Sequence, residues 1–264
     1  MAGIWGILNI TPDSFSDGGR YLALDDAVAR ARLMRAQGAS VIDVGGESTR
    51  PGAQRIGSAE EQRRILPVIE ALTADGIPTS IDTLNADTAA AAVRAGSRIV
   101  NDVSGGLADE RMMAVVADLD ADIAIGHWRG PSDEMYARAQ YVRIAREVAA
   151  ELRARVTAAA ESGIAPSRVI LDPGIGFAKS GPQNWEMLRG LDEVVGLGHR
   201  VLIGTSRKRF LADTLGGEVD QHRRDLATAV TSALAARAGA WAVRVHDVAA
   251  TRDALAVCAA WEGE

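Results

Sequence analysis

Asp82, Asn101 and Asp172 each end a short apolar run, and Lys208 closely follows another. Together these side chains can read a 2-amino-4-oxopyrimidine ring. A carboxylate accepts two adjacent N–H donors side by side, an amide donates and accepts on the next edge, and an ammonium donates to the ring carbonyl. Pterins and guanine share that edge, so the residue types alone leave both open. Arg244 and His246 end the last apolar run. Two apart on a strand, they point the same way, and a pair of cations suits a developing diphosphate leaving group. The basic run Ser206-Arg207-Lys208-Arg209 starts where an apolar strand stops, so its charges begin at a rim.

Two polar loops add to the set. The loop at 9–19 reads Asn-Ile-Thr-Pro-Asp-Ser-Phe-Ser-Asp-Gly-Gly, and that at 43–52 reads Asp-Val-Gly-Gly-Glu-Ser-Thr-Arg-Pro-Gly. Both are too polar and glycine-rich to pack as core, and loops at strand ends often carry function. Arg50 has the planar fork that grips a carboxylate or phosphate with two bonds.

The elements that must position these groups recur along the whole chain. Apolar runs lie at 4–9, 40–44, 78–82, 98–102, 122–127, 168–172, 200–204 and 241–246, with Ala-rich amphipathic segments such as 24–37, 59–74 and 87–95 between them. The segment 136–162 reads as the longest helix and is expected to overhang the rest. Strands alternating with helices predict an α/β protein with a parallel sheet. Eight such units predict a (β/α)8 barrel occupying 1–264 as one domain, with its active site at the C-terminal ends of the strands. The competitor is a doubly wound open sheet, which usually carries a G-x-G-x-x-G after its first strand; 9–19 has none. Nearly every run also ends in a polar residue: Asn9, Asp43, Asp82, Asn101 with Asp102, His127, Asp172, and Arg244 with His246. A barrel brings such ends to one rim, whereas helix caps usually fall a few residues later. His127 is expected to be structural, and His199 and His222 receive no role.

Composition narrows the class. The chain has 264 residues, 47% hydrophobic and 24% charged, with a formal net charge of -6. That balance argues against non-specific nucleic-acid binding, which wants a basic face. No run approaches the roughly 18 apolar residues of a membrane span, and no charged-then-apolar leader opens the chain, so no membrane association and a cytoplasmic location are expected. Cys258 is the one cysteine. It can form no intramolecular disulfide and no cysteine zinc site, and is expected to pack beside Leu255.

The two loops, with Ser206-Arg207-Lys208, resemble the corresponding motifs of dihydropteroate synthases, and the resemblance runs from Ile4 to about Val248. It implies a pterin-binding barrel that condenses (7,8-dihydropterin-6-yl)methyl diphosphate with 4-aminobenzoate, releasing diphosphate. It assigns Asp82, Asn101, Asp172, Lys208 and Arg244 to the pterin, with Asp82, Lys208 and Arg244 closest to the chemistry. Diphosphate falls to Asn9, Arg50, Arg244 and His246, with Mg2+ as cofactor and Asn9 as its ligand. The aminobenzoate pocket falls to Phe15, Thr49, Arg50, Pro51 and Ser206. A homodimer is also implied. One departure stands out: Gly126 replaces a bulky apolar residue, often Met, before His127, which predicts some lost contact with a pterin. The alternatives are a pterin-binding module of the methyltetrahydrofolate/corrinoid methyltransferase type and a non-catalytic synthase paralogue. Neither needs the loops at 9–19 and 49–52 together with Arg244 and His246.

Overall fold

The computed structural model describes residues 1–10, 20–47, 56–131 and 135–263. Eight strands, β1 Gly3–Asn9, β2 Val41–Gly45, β3 Thr79–Asp82, β4 Ile99–Asp102, β5 Asp122–Gly126, β6 Val169–Asp172, β7 Arg200–Ile203 and β8 Ala242–Val245, form a closed parallel barrel in chain order. β8 returns to β1 through Gly3 with Ala242 and Trp5 with Arg244. The expected (β/α)8 barrel is the fold, and the open sheet is not.

Between the strands run α1 Arg20–Ala36, α2 Ser58–Ala74, α3 Ala86–Arg94, α4 Met112–Asp118, α5 Ile144–Glu161, α6 Gly181–Arg189, α7 Asp192–Val195, α8 Arg209–Thr214, α9 Gln221–Arg237 and α10 Val248–Glu262. Most bury apolar residues against the barrel, whereas α9 buries Asp225, Thr228, Thr231 and Ser232 beside its alanines. In α2 the apolar stripe is Ile65, Val68, Ile69 and Leu72, all buried, at the three-and-four spacing of one helix face.

The barrel interior is layered, and the layering positions the site. Trp5, Val41, Ile99, Ala124, Ile170, Leu202 and Ala242 form a separate buried apolar cluster drawn from seven strands. Side chains on a strand repeat every second residue. Two residues toward the C-terminal end on six of those strands stand Asp43, Asn101, Gly126, Asp172, Gly204 and Arg244. An apolar plug therefore carries a polar layer directly above it.

Three expectations change. The segment 136–162 is not one helix: a 3-10 turn spans Met135–Arg138 and α5 begins at Ile144. The Glu147 carboxylate accepts from the backbone N–H groups of Val142 and Arg143 at 2.7 and 2.8 Å, which fixes the start of α5 there. β8 stops at Val245, so His246 lies beyond the strand that was to aim it with Arg244. Asp102 does not join the rim set. It turns into its own loop, accepting from Ser104 N at 2.8 Å and Gly106 N at 2.6 Å. Cys258 is half-buried on α10, its Sγ 3.7 Å from the carbonyl of Ala233. Among the described residues no helix is long and apolar enough to cross a membrane.

Candidate active site

Arg244 ties the polar layer together. Its Nε donates to Asp43 Oδ2 at 2.5 Å and its Nη2 to Asp82 Oδ2 at 2.6 Å. Asp43 also accepts from the Asn101 amide at 3.1 Å and from the Ser80 hydroxyl. Asp43 is fully buried, and Asp82 and Asn101 nearly so. Burial disfavours the guanidinium charge, yet Asp43 and Asp82 outweigh it and raise the Arg244 pKa above its ordinary value. Burial lifts the Asp82 pKa to about 7 against the pull of Arg244, with Asp43 adding like-charge repulsion.

Asp172 and Lys208 stand beside Arg244, at the neighbouring ends of β6 and β7. A methyl group placed on Gly204 would lie 3.8 Å from Lys208 Nζ, 3.9 Å from Arg244 Cβ and 4.0 Å from Asp172 Oδ2. All three thus border one space that the glycine leaves open. Asp172 Oδ1 accepts from Gly174 N at 2.7 Å. Burial raises the Asp172 pKa, and Lys208 and that backbone bond oppose the rise. Burial lowers the Lys208 pKa to about 8, with Asp172 opposing. The Lys208 ammonium donates to the carbonyl of Ile175 and sits 5.0 Å from the centre of the Phe177 ring. An ammonium has three protons, so a ligand can take others.

Asn9 joins the cluster on the β2 side. A methyl group on Gly45 would meet Asn9 Oδ1 at 3.6 Å and Asp82 Oδ2 at 3.9 Å. An amide oxygen and a carboxylate oxygen thus stand together at the rim. Asn9 Oδ1 is a hard donor of the kind Mg2+ takes, while Asp82 Oδ2 is engaged by Arg244. Among the described residues no group of three or more His, Cys, Asp or Glu could hold a metal alone, so a cation here would draw further ligands from a substrate.

The basic segment after β7 is shaped from behind. Arg207 adopts a left-handed φ of 58°. That turn sends its guanidinium back to Asp225 on α9, with Nε to Oδ1 at 2.7 Å and Nη2 to Oδ2 at 2.9 Å. Ser206 and Lys208 are left facing the barrel. The Ser206 hydroxyl accepts from His246 N at 3.1 Å and meets His246 Nδ1 at 2.8 Å. One hydroxyl thus contacts both the backbone and the ring of His246. Arg244 and His246 are therefore held by different partners.

Asn9, Asp82, Asn101, Asp172, Ser206, Lys208, Arg244 and His246 all lie at the C-terminal rim, as the strand ends predict. Phe15, Thr49, Arg50 and Pro51 lie outside the described residues. Gly126 differs from expectation in kind. A methyl group there would fall 2.4 Å from the carbonyl oxygen of Val103, so main chain fills the space that a larger side chain would need. His127 is buried and structural, its Nε2 2.9 Å from Glu151 Oε2. Two groups received no role from the sequence. Asp43 was legible as a strand end two residues past Val41, but not as the shared anchor of Arg244 and Asn101. Lys179, fully buried behind the β6 loop, sits in a stretch that reads as solvated.

Comparison with known proteins agrees with this geometry. The model of a family described as pterin binding enzymes matches residues 5–246. The dihydropteroate synthase of Mycobacterium leprae is 51% identical over 261 residues, covering 97% of this chain and 92% of that protein. A structure of Xanthomonas albilineans dihydropteroate synthase with 4-aminobenzoic acid superposes with a TM-score of 0.92 at 40% identity, covering 100% of this chain and 94% of the other. Another of the same enzyme with 7,8-dihydropteroate gives 0.89 at 38% identity, covering 100% and 94%. The chain belongs to the pterin-binding enzymes, among the dihydropteroate synthases.

Proposed function

We propose that this rim joins (7,8-dihydropterin-6-yl)methyl diphosphate to 4-aminobenzoate. The C–O bond to diphosphate breaks, the arylamine nitrogen bonds to the exocyclic CH2 and gives up one proton, and dihydropteroate and diphosphate leave. The observation that supports the reading is the convergence at Gly204 of a carboxylate acceptor, Asp172, an ammonium donor, Lys208, and the base of Arg244, whose guanidinium is held by Asp43 and Asp82. Asp172 takes the 2-amino and N3 edge, Asn101 and Asp82 the neighbouring ring nitrogens, and Lys208 the carbonyl, while Arg244 covers the ring.

An arylamine is a weak nucleophile, so bond breaking leads and the pterin carries positive charge in the transition state. Asp82 and Asp172 favour that charge electrostatically. Asn9, Arg244, His246 and Arg50 bind the departing diphosphate. Mg2+ held by Asn9 and the diphosphate would offset the leaving group's negative charge when bound. Phe15, Thr49, Arg50, Pro51 and Ser206 form the aminobenzoate pocket, and the two loops exclude water that would otherwise capture the cation. Sulfonamides, which share the arylamine, compete there.

Purified protein given the pterin diphosphate, labelled aminobenzoate and Mg2+ should yield dihydropteroate. Chelating the cation should stop turnover, and adding it back should restore it. Absence of product with both substrates and Mg2+ present would refute the assignment.

A cytoplasmic homodimer completes the reading. α9 and α10 pack against each other, and outward residues Leu226, Val230 and Leu234 of α9 and Val257 and Trp261 of α10 are each more than half exposed. Each set repeats every fourth residue, as one helix face does. An apolar groove of about 310 Å³ lined by Trp185, Leu211, Leu215, Leu226 and Val230 adjoins the first set. Two copies facing each other would cover these stripes. Light scattering should give twice the chain mass, and Leu234→Asp should return the monomer. A monomeric parent would exclude this interface.

A further inference from the structure

We propose that Lys179 is a positioning residue for the pterin-reading loop, clamping the segment 173–177 from its buried side while Lys208 holds it from the mouth. The inference rests on the function proposed above. Lys179 Nζ has three partners at 3.0 Å: His127 Nδ1 and the carbonyls of Gly174 and Phe177. Lys208 takes the carbonyl of Ile175, which lies between those two in sequence. Carbonyls of one short loop thus point in turn at two ammonium groups.

The backbone that allows this is strained. Gly174, Gly176 and Ala178 have φ of 65°, 83° and 49°. For glycine this costs little, but an L-residue such as Ala178 pays in steric contact with its own carbonyl. The surroundings hold it there. The Tyr141 hydroxyl donates to Ala178 O at 3.0 Å, and Asn184 accepts from Gly176 N at 2.6 Å and donates to Lys179 O at 3.2 Å.

The proton inventory supports a clamp that is charged below about pH 7. Although burial opposes its charge, His127 and Arg129 hold the Glu151 pKa down to about 2. His127 Nε2 therefore carries the proton that meets this carboxylate. Burial, and then Lys179, bring the His127 pKa down to about 4, while burial brings that of Lys179 to about 7. The proton between Nδ1 and Nζ then belongs to the lysine, and all three ammonium protons find acceptors. The charged groups around Lys179 are Asp172 on β6, Lys208 after β7, Arg129 after β5 and Glu151 on α5. Of these Asp172 reads the pterin, and its carboxylate is held by the N–H of Gly174, whose carbonyl Lys179 binds.

Lys179→Met keeps the length and the apolar stem but removes the charge and the donors. Calorimetric titration with the pterin diphosphate from pH 5 to 9 should show affinity reduced on the order of tenfold or more. The acid limb of binding should move up by about one pH unit, because Asp172 loses a nearby cation and takes its proton sooner. The KM for aminobenzoate at saturating pterin should change by less than about threefold. A folded variant with unchanged pterin affinity and an unmoved acid limb would overturn the proposal. If that variant does not fold, Glu151→Gln loosens the His127 end from a partly exposed position. It should reduce pterin affinity by less, and unchanged affinity in that variant would again overturn the clamp. A parent protein that fails to bind the pterin would instead count against the proposed function.

Discussion

The rate of the reaction should follow a narrow bell in pH, with limbs set by Asp82 and Lys208. Burial raises the Asp82 pKa to about 7, and Arg244 holds it from rising further. Burial lowers the Lys208 pKa to about 8. The productive state needs Asp82 ionised, to face a cationic transition state, and Lys208 protonated, to donate to the ring carbonyl. For kcat/KM the limbs report the free enzyme. Two pH units below the Asp82 value therefore cost about a hundredfold in kcat/KM, or ~2.7 kcal/mol. Two units above the Lys208 value cost a similar factor. The assay is product formation from labelled aminobenzoate at low pterin diphosphate, pH 5 to 10, for the parent and for Asp82→Asn. Ionisation of the substrate is common to both proteins, so the ratio of the two profiles isolates Asp82. The parent should lose its advantage over the variant as pH falls through about 7. A ratio that stays flat from pH 5 to 8 would refute the electrostatic role given to Asp82.

The same shift has a stability consequence. A carboxyl whose folded pKa lies above its unfolded value favours folding at low pH, and that advantage drains away as pH rises through about 7. Asp82→Asn should therefore melt no lower than the parent at pH 8 while losing activity, as calorimetry can check; a clearly lower Tm would contradict this. Asp43→Asn differs, because it puts an amide NH2 where a buried carboxylate accepts from Arg244, Asn101 and Ser80, and leaves one of those donors unpaired. It should cost about 3 kcal/mol in urea unfolding, toward the low end for a broken buried pair because Asp82 remains, and weaken pterin binding as well. Gly204→Ala should fold normally, because its methyl would meet Lys208, Arg244 and Asp172 at 3.8 to 4.0 Å. It should nevertheless weaken pterin binding on the order of tenfold, ~1.4 kcal/mol, because it fills the space the ligand needs; unchanged affinity would move the ligand elsewhere.

The fold was legible because a barrel repeats a simple rule. Val41, Ile170 and Ala242 are apolar, and two residues on stand Asp43, Asp172 and Arg244. Period two plus a shared closure is enough to predict both the plug and the polar rim. Direction beyond the rim was not legible. Asp82 and Asp102 look alike as strand ends, yet one meets Arg244 and the other folds onto Ser104 and Gly106. The difference lies in the turn that follows, which apolar periodicity does not encode. The start of α5 was missed for a related reason, since Glu147 closes back on Val142 and Arg143 and ends a pattern that reads as continuous. Lys179 gave no signal because a lysine in a loop is ordinarily solvated. Its burial depends on His127 arriving from β5 and on carbonyls whose φ values the sequence only partly announces.

The partners behind the rim explain why so many polar residues cluster where only a few can touch a substrate. Among the described residues, Asn101, Asp172, Lys208, Arg244 and His246 each have a second group holding them. Asp43 holds Arg244 and Asn101, Gly174 N holds Asp172, and Ile175 O holds Lys208. Asp225 fixes the turn at Arg207 that aims Lys208, and Ser206 holds His246. These bonds form on folding, so the ordering entropy of long side chains such as Arg244 and Lys208 is not charged to the binding step. Fixed donors and acceptors also need no reorganisation as charge develops, which is where electrostatic catalysis gains most. The arrangement costs the folded state something in return, because buried charges must be satisfied to be tolerated. That cost falls on Asp43, Asp82 and Arg244 together. Substitutions among these three should therefore show strong non-additivity in both stability and rate, while Asp225, which acts on Lys208 from α9, should combine with them nearly additively.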